Sequence, residues 1–108
     1  MSQRLPSSDN VVLKGIREEP SAEDGARVLV DRLWPRGVSK ERADLDEWAK
    51  DATPTTDLRR VFHSGEMPWP QFVEAYRAEL TERPEAVAAV EYLRDEALKG
   101  RVTLLFAG

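Results

Sequence analysis

The sequence predicts an α/β domain, with a small mixed sheet of about three strands and helices packed against it. Two short apolar stretches, at 11–16 and 28–30, have the composition of strands, and a third lies at 102–106. Between the second and third stretches the apolar residues recur at helical spacing. Because parallel strands need a long connection, this helical crossover predicts that the second and third strands are parallel.

The first two predicted strands are close together in the chain. Lys14 and Gly15 interrupt the first of them, and the turn-forming residues Pro20, Ser21, Asp24 and Gly25 separate it from the second. The second strand, Val28 to Val30, is mostly β-branched. Since the connection is too short for a helical crossover, we expect the two strands to form an antiparallel pair.

Two helical segments are predicted in the first half of the crossover. The first has helical spacing and ends before Pro54, because the residue before a proline avoids the helical region; its apolar residues are Leu45, Trp48, Ala49 and Ala52. The second begins at a capping Thr55 or Thr56 and stops at Gly65. Its apolar face comprises Leu58, Val61 and Phe62.

Two longer helices are predicted in the second half, and each has a proline at its start, near Pro70 and Pro84. The apolar stripe of the first comprises Trp69, Phe72, Val73, Tyr76 and Leu80. Such a stripe usually faces the core, so we expect Phe72 to be almost fully buried. The inward residues of the second are Val87, Val90, Leu93 and Ala97, and Gly100 ends it.

Composition excludes several classes of function. The chain has 108 residues, enough for one domain at 11–108, preceded by a tail at 1–10 that we expect to be flexible. A net charge of −4 disfavours general binding to nucleic acid, and no apolar run could span a membrane. We therefore expect a cytoplasmic protein. With no cysteine and a single histidine, His63, no metal site or cofactor is predicted.

A candidate site follows the second strand, in the segment Asp31-Arg32-Leu33-Trp34-Pro35-Arg36-Gly37. Ligands of open α/β sheets bind beyond the carboxyl ends of parallel strands. Arginine can hold a carboxylate or phosphate with two hydrogen bonds. The predicted ligand-binding residues are accordingly Arg32, Trp34, Arg36 and Arg59, on one shared concavity, and the weak catalytic candidate is His63. The structural alternative is an Asp31–Arg32 ion pair with Trp34 covering the core, which is favoured for Trp34.

The sequence resembles the YeaO-like family of small bacterial proteins, a domain family of unknown function. The most specific part is Asp31 to Gly37 followed by Ser39-Lys40-Glu41. Further matches are Trp48 with Lys50, Pro54, Leu58-Arg59, Phe62-His63, Trp69 to Phe72 to Tyr76 with Glu79-Leu80, and the final Val-Thr-Leu-Leu-Phe-Ala. The resemblance implies an α/β fold and no established activity.

The resemblance also implies a closing C-terminal segment after the last strand, and we expect this segment to be missing here. We therefore expect exposed apolar surface near 102–106, and a homodimer that buries it. The residues leave two functions open. The first is a site for a small anionic or phosphate-containing ligand at the Arg–Trp loop, and whether it is enzymatic is uncertain. The alternative is a non-catalytic protein-interaction or regulatory module, since Arg and Trp are also frequent in interface hot spots.

Overall fold

The computed structural model describes residues 10–107, so most of the predicted tail lies outside the described residues. The α/β class is confirmed. The strands and helices are β1 (Val11–Gly15), β2 (Ala26–Leu29), α1 (Lys40–Ala43), β3 (Glu47–Trp48), α2 (Thr56–His63), α3 (Trp69–Glu82), α4 (Pro84–Lys99) and β4 (Val102–Phe106). Short 3-10 turns occupy Ala22–Asp24 and Lys50–Ala52. Asn10, the last residue of the predicted tail, donates a 2.7 Å hydrogen bond to the carbonyl of Ala97 and is therefore tied to the domain.

The sheet has the strand order β1-β4-β2-β3, and every neighbouring pair within it is parallel. The parallel pairing of β2 with β4 is confirmed, whereas the antiparallel pairing of β1 with β2 is wrong. β4 lies between them, and Val102 is in register with both Val11 and Ala26. The central position gives the backbone of β4 partners on both edges and buries Val102, Thr103 and Leu105. Because β1 and β2 run in the same direction with β4 between them, the segment that connects them leads back to the opposite end of the sheet and does not form a hairpin.

Apolar side chains pack on both faces of the sheet, as parallel strands require. One cluster joins Leu29 and Leu105 to Ala43 of α1. The other joins Val28 and Val102 to Ala97 of α4. Since both faces have cover, most of β4 is buried, although Phe106 at its end is exposed.

The helix predicted around Leu45 to Ala52 is wrong. Glu47–Trp48 instead extends the sheet as β3, and the Ala49 N–H donates to the carbonyl of Leu29 at 2.8 Å. The Asp46 carboxylate also accepts the backbone N–H of Arg27 at 2.8 Å. These hydrogen bonds to an existing strand outweigh the local helical spacing, which carries no information about distant partners.

The three remaining predicted helices are confirmed as α2, α3 and α4. The hydroxyl of Thr55 caps α2 through the N–H of Leu58. The expectation that Phe72 is almost fully buried is wrong, because it is only partly buried and α3 has no fully buried residue. Trp69 at the start of α3 is 62% exposed. The aromatic end of this helix lines a cleft and does not enter the core.

A buried ionic cluster joins β1 to β2. The Asp24 carboxylate is paired with Arg27, and it accepts hydrogen bonds from Lys14 at 3.0 and 3.1 Å. Arg27 is only 3% exposed and also donates to the carbonyl oxygens of Ala43 and Asp44. Burial acts to raise the pKa of Asp24, but the hydrogen bonds from the Ser21 backbone, Lys14 and Arg27 hold it below the ordinary value.

Candidate functional site

A large cleft, named here the aromatic cleft, opens where β2 and β4 end and α2 and α3 pack nearby. Its volume is about 860 Å³. Branched aliphatic side chains line its apolar part, namely Val30, Leu80, Val90, Leu93 and Leu104. The loop at 31–35, the segment at 52–54 and one side of α2 and α3 complete the lining. The position agrees with the rule that open α/β sheets bind ligands beyond the carboxyl ends of their strands.

Four aromatic residues of α2 and α3 pack against one another along the cleft. The rings of Phe62 and Phe72 are 4.5 Å apart, and those of Phe72 and Trp69 are 5.4 Å apart and nearly parallel. Tyr76 extends the row, with its ring 6.1 Å from that of Phe72. The spacing of Trp69, Phe72 and Tyr76 in the sequence correctly indicated a shared face, but this face lines the cleft.

Asp31 anchors the loop that follows β2. Its carboxylate accepts the N–H of Ala107 at 2.8 Å, just after β4. Its carbonyl oxygen accepts the indole N–H of Trp48 at 2.7 Å. The loop is thereby fixed to the neighbouring strand on either side, so the cleft has a firm wall at this end.

Arg32 lines the cleft, but its guanidinium is bonded within the protein. It donates to the carbonyl oxygens of Thr53 at 2.9 Å and Pro54 at 3.3 Å, and it lies 3.5 Å from the Asp51 carboxylate. These contacts hold the segment that leads into α2. The Asp31–Arg32 ion pair considered from the sequence does not form, since Asp51 is the acidic partner.

Trp34 both lines the cleft and packs on the core. Its indole N–H donates to the carbonyl of Val38 at 2.7 Å, and its ring lies edge-on to that of Trp48 at 5.4 Å. The indole is therefore held in place from within the protein, in agreement with the structural alternative for Trp34.

Arg36 is exposed and is not among the residues that line the cleft. Its carbonyl oxygen accepts a 2.8 Å hydrogen bond from Arg17. Gly37, next in the chain, has a φ of +77°, which allows the turn after the loop. The structure thus brings Arg32 and Arg59 to one concavity but not Arg36, whose part in ligand binding stays a prediction.

Arg59 and His63 lie one helical turn apart on α2, and both side chains line the cleft. Both residues are exposed. Within residues 10–107 neither side chain makes a hydrogen bond or ion pair, and the imidazole packs edge-on against the ring of Phe62, with the ring centroids 5.9 Å apart. The positive charge of Arg59 is therefore available to a molecule in the cleft.

Two residues of α3 that the sequence did not indicate as site residues, Tyr76 and Glu79, position the start of α2. The Glu79 carboxylate accepts from the backbone N–H of Thr55 at 2.9 Å and from its hydroxyl at 2.5 Å. The Tyr76 hydroxyl donates to the carbonyl of Ala52. Burial and the nearby Glu79 carboxylate raise the pKa of Tyr76, so the phenol stays protonated and remains a donor. Thr55 can be recognised in the sequence as a helix cap, but the carboxylate that it binds belongs to Glu79, 24 residues away. No local sequence pattern connects the two residues.

Two kinds of feature are absent from residues 10–107. No cluster of acidic or histidine side chains is arranged to hold a metal ion there. None of the helices in that part of the chain is long and apolar enough to cross a membrane.

The fold and cleft define a small parallel α/β domain with a cleft at its strand ends. Over residues 10–108 the chain matches the model of the family described as the inactive DUF488-N3 subclade, and it belongs to that family. The predicted resemblance to YeaO-like proteins is confirmed, since the chain is 41% identical over 98 residues to the Escherichia coli "Uncharacterized protein YeaO". That match covers 91% of this chain and 83% of the relative.

Mycobacterial relatives match a shorter stretch. The "Uncharacterized protein Rv3073c" of Mycobacterium tuberculosis and the "Uncharacterized protein Mb3100c" of Mycobacterium bovis are each 37% identical over 65 residues. The match covers 60% of this chain and only 55% of either relative. No solved structure matches the chain.

Proposed function

We propose that this protein is a non-catalytic domain that binds a small anionic ligand in the aromatic cleft. The observation that carries the proposal is the pair Arg59 and His63, which face an apolar cleft without a hydrogen-bonding or ionic partner among the described residues. The cleft volume of about 860 Å³ is in the usual range for small-molecule sites. Such sites combine an apolar lining with a few polar groups that orient the ligand.

The charge around the cleft favours an anion. The chain carries a net charge of −4, yet the cleft is lined by two arginines and a single acidic residue, Asp31. Asp31 already accepts a backbone N–H, and Arg32 is partly neutralised by Asp51. The remaining charge is that of Arg59, whose planar guanidinium can donate two parallel hydrogen bonds to a carboxylate or phosphate.

Two observations support a binding role without catalysis. A general base is usually oriented by a second group, and His63 has no hydrogen-bonded partner among the described residues. The family to which the chain belongs is also described as inactive. Together they favour a domain that holds a ligand without transforming it.

The test is calorimetric titration with a panel of phosphorylated metabolites, nucleotides and aromatic carboxylates. We expect at least one anion to bind saturably. Arg59→Gln should weaken this binding by about tenfold, since a hydrogen bond to a charged group contributes about 1.5 kcal/mol or more. Arg60→Gln is the matched control, because Arg60 is the next residue of α2 and faces Asp57. Equal losses in the two variants, or no saturable binding, would refute the proposal.

A protein-interaction module is the second candidate. Two large apolar residues that line the cleft are exposed, namely Leu33 and Trp69. An exposed tryptophan near an arginine is typical of interface hot spots. This candidate predicts that Trp69→Ala and Leu33→Ser abolish capture of a protein partner, and that small anions do not compete with that partner.

A further inference from the structure

The polar groups in the walls of the aromatic cleft are mostly committed to the protein itself. The carbonyl oxygens of Thr53 and Pro54 accept from Arg32, and that of Ala52 accepts from Tyr76. The carboxylate of Asp31 accepts from a backbone N–H. A ligand inside the cleft therefore finds few side-chain donors or acceptors that are not already paired.

The two polar side chains that remain, Arg59 and His63, lie on the same helix. They can hold one anionic group at one side of the cleft. The rest of the ligand then lies against apolar surface, and any hydrogen-bonding group it carries there loses water without gaining a partner. Each polar group buried in this way weakens binding.

The aromatic row provides a surface for a flat molecule. The rings of Trp69 and Phe72 are stacked, with centroids 5.4 Å apart and planes inclined by 25°, so Phe72 holds the indole from one side. Trp69 is nevertheless 62% exposed, which leaves part of the indole accessible to a further ring. Stacking of this kind strengthens binding beyond what the burial of apolar area contributes.

Resting on the proposed function, we propose that the ligand is a flat, apolar organic anion with a single carboxylate head, and that nucleotides and phosphorylated sugars are poor ligands. The carboxylate pairs with Arg59, and the flat body stacks on the accessible part of the Trp69 indole. A nucleotide would place the polar edges of its base and ribose against walls whose polar side chains, apart from Arg59 and His63, are already bonded.

The experiment compares four probes by calorimetry and by tryptophan emission: 2-naphthoate, its neutral analogue 2-naphthamide, AMP and inorganic phosphate. We expect 2-naphthoate to bind at least tenfold more tightly than each of the other three. Arg59→Gln should remove its advantage over 2-naphthamide, and Trp69→Ala should weaken both naphthalene probes. Arg60→Gln should change neither. Because Arg59 and Trp69 are exposed, these variants should unfold at the same temperature as the unmodified protein.

The possible failures are distinguishable. If AMP or phosphate binds more tightly than 2-naphthoate, and does so through Arg59, the proposed function stands and the assignment of an apolar anion is overturned. If 2-naphthoate and 2-naphthamide bind equally, the carboxylate has no role and the assignment is also overturned. If none of the probes binds, and the wider anion panel fails as well, the proposed function itself is refuted.

Discussion

Replacing Asp24 by asparagine tests the buried ionic cluster that joins β1 to β2. Asp24 is 7% exposed, and its carboxylate faces the positive charges of both Lys14 and Arg27. The Asp24→Asn variant keeps the size of the side chain and an oxygen that can accept a hydrogen bond. It removes the only negative charge that these two cations share within the described residues.

The expected loss in the free energy of unfolding depends on the hydrogen bonds that Arg27 keeps in the Asp24→Asn variant. Its guanidinium still donates to the carbonyl oxygens of Ala43 and Asp44, so it stays hydrogen-bonded but loses its counter-charge. Removing one partner of a buried ion pair costs about 3–5 kcal/mol. Since the amide oxygen of asparagine can replace one acceptor, we expect the lower end, about 3 kcal/mol, in the free energy of unfolding at pH 7. That is a large share of the stability of a small domain.

The assay is urea unfolding of both proteins at a series of pH values. The pKa of Asp24 is lower in the folded protein than in the unfolded chain, so its charge stabilises the fold above the unfolded pKa, near 4. This contribution is lost as the pH falls below that value through the folded pKa. The difference between the two proteins should therefore be constant from pH 6 to 8 and shrink steadily below about pH 4.

Asp57→Asn is the matched control, because Asp57 faces Arg60 in an ion pair at the surface of α2. Its side chain is 90% exposed, and such pairs contribute little, so we expect a change below about 0.5 kcal/mol. The prediction fails if Asp24→Asn lowers the free energy of unfolding no more than Asp57→Asn does. It also fails if the loss caused by Asp24→Asn stays the same as the pH falls below about 4.

Two further predictions concern backbone geometry and association. Gly25 has a φ of +64°, and a Cβ there would lie 2.2 Å from the carbonyl oxygen of Arg101. Gly65 has a similar φ of +84°, but a Cβ there would have no neighbouring atom within 4 Å. Gly25→Ala should therefore lower the midpoint of thermal unfolding far more than the control Gly65→Ala. In the sheet register, Leu13, which is 69% exposed, and Phe106 share one face at the β1 edge. We therefore expect sedimentation to show self-association that Leu13→Ser abolishes, and a strict monomer at high micromolar concentration would contradict this.

Much of the secondary structure follows from local features of the chain. Pro70 and Pro84 lie at the starts of α3 and α4, and Gly100 follows the last turn of α4. A threonine cap and a glycine bound α2 in the same way. These signals operate over a few residues, where backbone angles and end hydrogen bonds are decided, so they can be interpreted without knowledge of the fold.

The pairing of strands could not be predicted in this way. β4 lies between β1 and β2, so Val102 pairs with residues more than 70 positions earlier in the chain. The segment at 45–52 has helical spacing, but an available edge on β2 draws Glu47–Trp48 into the sheet. In both cases hydrogen bonds to a distant strand decide the outcome, and local periodicity does not report them.

The candidate site likewise combines features that the sequence indicates with features that depend on the fold. Local features of the chain already indicate that a segment rich in arginine and tryptophan follows a strand, and that Trp69, Phe72 and Tyr76 share one helical face. The folded chain decides that Arg32 is bonded to the carbonyl oxygens of Thr53 and Pro54, while Arg59 is left without a partner among the described residues. It also decides that the aromatic face lines a cleft. The physical reason is that the burial and bonding of a side chain depend on which distant groups surround it, whereas its spacing along the chain determines only the direction in which it points.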